Sequence, residues 1–432
     1  IQQYCGTVLY CTVKECYYIY YCATVQQCYS IFVIFLYLCA KVRMRVTPWS
    51  KKHKLVTRAA HGGVKHSLSN SFPQPLTSRG LLELTRARGD FELARAFTDH
   101  ALGYTPNGGS HDLRQEIAQL YVSDRITADN ILVFAGAQVA LLHAAVALAA
   151  DCHSIVFTPG YQSTVECPRM AGGTVTHIPR SAKDGWQIPL DALRRAIRPG
   201  ETKYIVINEP FNPAGTLMGR VQQEELVSIA RAHDIRIMSD EVYRLLEHDP
   251  RDRLPAMCDL YEQGISCVTM SKPWGGCGIT IGWLAFQDLR IKQNIVDVQY
   301  FGTACPSRAS EIQALMVLRA SDAILEKNMR IIRHNLELLD GFMTRYPLLF
   351  EWVRPVAGAI AFLKFTGPLT SEQLGAQLAE AGISIKPAYC FAGGDVHEGV
   401  DYFRVGFGEV KMPKALAALE EFVRVNEREW MA

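Results

Sequence analysis

Three side chains stand out for the chemistry they can do together: Asp240, Tyr243 and Lys272. A lysine amine can form a Schiff base with an aldehyde, hold it covalently and hand it on to an amino acid. Lys272, in the run Thr269-Met270-Ser271-Lys272, is the nucleophile of this kind. A carboxylate set against a pyridine nitrogen keeps that nitrogen protonated, so that the ring accepts electrons when a bond at Cα breaks; Asp240 fits this task. Tyr243 can donate a hydrogen bond to a phenolic oxygen on the same ring. The set points to pyridoxal 5'-phosphate and to amine chemistry.

These residues need elements that bring them to one place. The apolar run 235–238 predicts a buried strand that ends at Asp240, and ligands of open α/β sheets bind at such strand ends. Upstream, the strand-like run 203–207 leads into Asn208-Glu-Pro-Phe-Asn212-Pro-Ala-Gly215, where prolines and a glycine stop the strand and fix a loop. That puts Asn212 at the same mouth, with an amide to offer the ring oxygen. Further strands are expected at 131–134, 154–157 and 267–270, separated by helical patterns such as 139–150 and 222–233, a βα repeat of a mainly parallel sheet. After about residue 319 the pattern changes to a long charged helix at 322–345, a strand at 359–365 and a helix at 371–381.

With these motifs in order, the chain from about Asn70 to its end resembles a fold-type I pyridoxal-phosphate enzyme of the class I/II aminotransferase family. Asn212 to Gly215 matches the family's Asn-Pro-x-Gly turn, Asp240 to Tyr243 its Asp-x-x-Tyr, and Thr269 to Lys272 its Ser-x-Ser-Lys block. The resemblance implies an α/β fold with a mainly parallel sheet of the seven-stranded type flanked by helices, and a smaller α+β domain. It implies a phosphate cup at Gly136, Ala137 and Gln138, with backbone amides at a helix N-terminus and hydroxyls of Thr269 and Ser271 around the dianion. It also implies that Tyr161 stacks on the ring, that Tyr104 reaches the phosphate of a partner subunit in a homodimer, and that Arg404 grips the substrate α-carboxylate. Where the family carries a phosphate-binding arginine, this chain has Thr280, which forgoes a charged hydrogen-bonding pair of on the order of 2 to 3 kcal/mol.

Each residue alone reads more plainly. Asp240 alone could cap a helix over 241–246, Lys272 alone is a solvated lysine, and Arg404 alone a surface ion pair. Tyr161 and Tyr104 alone are amphipathic packing residues, and Asn212 alone a turn former. The ordered set implies an aminotransferase moving an amino group from an L-amino acid to a 2-oxo acid through Lys272. Two other readings stay open: elimination, replacement or cyclisation at the side chain of an amino acid such as arginine, and a non-catalytic protein on the same fold.

Composition agrees with a globular chain. Its 432 residues are 49% hydrophobic and 20% charged, and a formal net charge of +2 leaves no nucleic-acid footprint. The expected division is an atypical extension at 1–48, a segment at 49–105 joining the small domain, a large cofactor-binding domain at 106–320 and a small domain at 321–432. The extension holds six of the thirteen cysteines, and residues 16–40 carry no charge. The expectation is that 1–43 is an upstream translated segment, with a membrane anchor over 16–40 as the alternative. The remaining cysteines lack metal spacing and suit a reducing cytosol.

Overall fold

The apolar runs become strands of one twisted sheet in the computed structural model, which describes residues 64–393 and 401–431. The extension at 1–48 and the uncharged run 16–40 lie outside the described residues. A short strand, β1 (His66–Ser67), precedes the sheet, which is built from β2 (Ile131–Phe134), β3 (His153–Thr158), β4 (Thr174–Pro179), β5 (Thr202–Asn208), β6 (Arg236–Asp240), β7 (Gly264–Thr269) and β8 (Gly282–Phe286). Their order is β2-β8-β7-β6-β5-β3-β4, with β8 antiparallel to both neighbours and the other pairings parallel.

Alternation along a strand sends successive side chains to opposite faces, and here both faces are covered. Ile131 and Val133 of β2 join a core with Trp283, Ile312 and Leu315, the last two on the helix Arg308–Arg319. Leu132 and Phe134 join another with Ala140, Leu141 and Ala144 of the helix Ala137–Leu148. Such two-sided burial is why these strands read as unbroken apolar runs.

A second, antiparallel sheet has the order β12-β13-β10-β9, from β9 (Phe350–Trp352), β10 (Ile360–Phe365), β12 (Lys386–Pro387) and β13 (Tyr402–Gly406). One face packs Leu363, Phe365, Phe403 and Val405 against Ile332, Leu336 and Leu339 of the helix Ser321–Arg345 and Leu416 and Leu419 of the helix Met412–Trp430. Period-two alternation therefore turns Arg404 to the other face. β1 pairs in parallel with β11 (Ile383–Ser384), while Leu81 of the helix Ser78–Ala87 joins the core that holds Trp274 and Ile312.

Two strands of the seven-stranded sheet fall outside the sequence expectation. β4 is an edge strand whose Thr174-Val-Thr-His-Ile-Pro179 alternates polar and apolar residues and lies mostly half-exposed, so it lacks an apolar run. β8 begins at Gly282, four residues past the glycine-rich block at 275–278, and reads as a continuation of that loop. Residues 241–246 form turns rather than a helix, so Asp240 closes a strand instead of capping a helix. No helix among the described residues is long and apolar enough to cross a membrane.

Candidate active site

Asp240 is the last residue of β6 and stands in register between Asn208 of β5 and Cys267 of β7. Only 2% of it is exposed, and its carboxylate accepts the amide of Val242 at 3.3 Å. It makes no ion pair among the described residues. Burial pushes the carboxyl up to about 7, with the Val242 amide and the positive charge of Lys272 pulling only partly the other way. A buried carboxylate at a sheet mouth lacks a cation, and a protonated ring nitrogen would supply one.

Lys272 follows β7 by three residues, and its Nζ donates to Oγ of Ser71 at 3.0 Å. It lies 5.8 Å from the centre of the Phe72 ring and 5.9 Å from that of Tyr243. Burial, reinforced by the charge of Arg404, lowers the ammonium to about 8, so the free amine is accessible near neutral pH. Tyr243, buried in the turn after β6, donates from its hydroxyl to the Ser71 carbonyl at 3.3 Å. Ser71 thus touches both residues, a role no sequence pattern announced.

Arg404 is equally buried. Its Nη1 donates to Oδ1 of Asn212 at 3.0 Å and its Nη2 to the Ser69 carbonyl at 2.9 Å, while Nε is enclosed with no partner. Asn212 is fixed in turn, its amide nitrogen donating to Oδ1 of Asn208 at 2.8 Å; Asn208 donates to the Asp240 carbonyl at 2.7 Å. With Oδ1 engaged by Arg404, the side-chain NH2 of Asn212 remains to donate. Gly406, two residues on, is required by the strap that carries Ser69: a Cβ there would meet the Asn70 carbonyl oxygen at 1.5 Å.

At the other end, Gly136 takes φ +94° and begins the helix Ala137–Leu148, whose N-terminus has no side-chain cap. Uncapped amides there are ready for an anion. Gln138 donates from Nε2 to the Tyr161 hydroxyl at 2.5 Å, and burial raises that phenol to about 12. Thr269 Oγ1 lies 3.3 Å from Ser271 Oγ and donates to the Ile281 carbonyl at 3.0 Å. Thr280 stands beside Gly136, holds a left-handed φ of +57° and donates to the Gly278 carbonyl at 3.3 Å. Tyr104 is apart from all of these, 97% exposed.

Pyridoxal phosphate fits this donor set: a cation-seeking carboxylate, an amine of lowered basicity, an uncapped helix N-terminus and an arginine with an unused donor. The comparisons agree. A family model described as "Aminotransferase class I and II" matches residues 80–419. The chain is 28% identical over 371 residues to an aspartate/prephenate aminotransferase of Thermus thermophilus, covering 81% of this chain and 91% of that protein. It is 24% identical over 366 residues to aromatic-amino-acid aminotransferase 2 of Thermococcus litoralis, covering 80% and 92%. The crystal structure of a PLP-dependent aminotransferase from Streptococcus suis superposes with a TM-score of 0.79 at 28% identity, covering 87% of this chain and 98% of that one.

Proposed function

Since the chain belongs to the aminotransferase class I and II family, we propose that Lys272, Asp240 and Tyr243 are the catalytic groups of its site. The protein is a pyridoxal 5'-phosphate-dependent enzyme that moves an amino group from an amino acid to a 2-oxo acid. Its relatives do not favour elimination, cyclisation or a non-catalytic role.

When bound, pyridoxal phosphate supplies an aldehyde carbon and an electron-accepting ring. Asp240 would hold the proton on the ring nitrogen, and Tyr243 and the Asn212 amide would donate to the ring oxygen. Tyr161 would pack on the ring. Amides of Gly136, Ala137 and Gln138 would hold the phosphate with the hydroxyls of Thr269 and Ser271. Arg404 binds the α-carboxylate through the donors left beyond Asn212 and Ser69. Nζ of Lys272, as a free amine, takes the Cα proton and returns it. The observation that carries this reading is the Asp240 carboxylate, buried at the strand end without an ion-pair partner.

Residues 106–320 are proposed as the cofactor-binding domain, with the helix Ser78–Ala87 packed into its core, and 321–432, with the segment that carries Ser69, as the part that grips substrate. Aspartate or an aromatic amino acid is the proposed donor, after the relatives' names. A homodimer is proposed from the exposed apolar residues Leu102, Tyr104 and Phe301, with Tyr104 reaching the partner's phosphate. A cytoplasmic setting is supported by the described cysteines, all of them thiols. The test is the absorbance of the cofactor-loaded protein under single turnover. A visible band that an amino acid bleaches and a 2-oxo acid restores is expected. Lys272→Ala is expected to lose the band and about 10⁴-fold in rate; full turnover in that variant would refute the assignment.

A further inference from the structure

The mouth of the site carries a second cation that the roles above leave unused. Lys386 of β12 pairs directly with Arg404 of β13, and directly opposed residues of an antiparallel pair stand on the same face. The two cations flank one aromatic ring: Arg404 Cζ lies 5.2 Å and Lys386 Nζ 5.8 Å from the centre of Phe391. Lys386 makes no ion pair with any carboxylate among the described residues. Burial, then the charge of Arg404, lowers its ammonium to about 7, with Lys272 acting in the same sense and only the Cys390 thiol opposing. No acidic side chain among the described residues answers it.

Charge accounting narrows what does. The bound cofactor engages Lys272 and Asp240, leaving Arg404 and Lys386 for the substrate. One α-carboxylate answers Arg404, whose fixed contacts to Asn212 and Ser69 and unpartnered Nε define its seat. A second positive charge this close, crowded by the first, either gives up its proton or is answered by a second anionic group, and an anionic ligand seated between the two favours the charged form. We propose that Lys386 is a specificity-determining residue that binds the second carboxylate of a dicarboxylic amino acid or 2-oxo acid. The proposal rests on the aminotransferase reading for the identity of the reacting ligand, and its test requires no turnover.

Calorimetry on the cofactor-loaded enzyme compares succinate with butyrate, four-carbon acids bearing two carboxylates and one. The parent is expected to prefer succinate. Lys386→Gln is expected to weaken succinate roughly 10- to 100-fold, as for loss of a desolvated charge partner, and butyrate by less than about twofold. Lys386→Arg should restore most of the loss. Lys386→Met, which keeps the stem without the charge, replaces Gln if that variant fails to load cofactor. Equal weakening of both acids, no weakening, or a parent that does not distinguish them overturns the proposal. Turnover separates the two readings: a selective loss of succinate binding in an enzyme that transaminates nothing leaves this subsite standing and removes the transamination roles.

Discussion

The two ends of the site solve the same problem, holding an anion, in opposite ways. At the cup, Gly136 to Gln138 and the hydroxyls of Thr269, Ser271 and Thr280 offer dipoles and hydrogen bonds. At the mouth, Arg404 and Lys386 stand side by side on one sheet face. A helix N-terminus is worth about 1 kcal/mol per charge, whereas a desolvated charge pair is worth several. On the roles proposed above the difference suits the tasks: the resting cofactor would also be tethered through Lys272, so its phosphate can be held by dipoles, while an incoming substrate must be recognised before any covalent bond forms and needs charge.

Among the changes that test this contrast, stripping the mouth gives the largest expected effect. Arg404→Ala should cut kcat/KM by about 10³-fold, as for breaking a buried charge pair, while cofactor affinity measured by titration stays within about threefold. Parallel loss of both would erase the contrast between the ends.

Neutralising the centre comes next. In the cofactor-free protein the Asp240 carboxyl sits at about 7, above its unfolded value of about 3.9. The stability due to its neutral form is full below about pH 4 and is lost as pH rises through about 7. Asp240→Asn cannot ionise, so the cofactor-free variant should exceed its parent in stability above pH 7 by roughly 4 kcal/mol at most, the gap closing towards pH 4. Urea melts at pH 4.5 and pH 8 measure it, and identical melts at pH 8 would mean that Asp240 already has a cationic partner.

Adding charge to the cup has the smallest effect. Thr280→Arg should tighten the cofactor by about 2 kcal/mol, roughly 30-fold, read by competition between parent and variant. The left-handed φ of +57° does not forbid it, since arginine is unbranched at Cβ and threonine already bears the greater strain there. Unchanged affinity would show that dipoles alone saturate the phosphate.

How much of this was legible in sequence follows from chemistry and distance. Asp240, Asn212 and Lys272 each close or follow an apolar strand run, so local pattern puts them at one mouth. Ser71 meets Lys272 across 201 residues, and nothing local in Ser69-Asn-Ser-Phe72 foretells that meeting. Lys386 stands in Ile383-Ser-Ile-Lys-Pro387, an alternation that reads as a strand with its polar face to water; only the pairing with Arg404 turns that face to the site. Tyr104 was legible through the family motif alone, because its surroundings in the single chain are solvent.

The strap at 69–75 carries a consequence for synthesis. Ser69 serves Arg404, Asn70 donates to Glu409 at 2.6 Å, and Gln74 accepts the amide of Val410 at 3.1 Å. The strap is seated by residues 335 to 339 positions further on, contacts of the kind that form late because their loops are long. On a ribosome the strap has no seat until β13 and the loop after it have emerged, so the pocket forms first as an unlatched cleft and is locked only then.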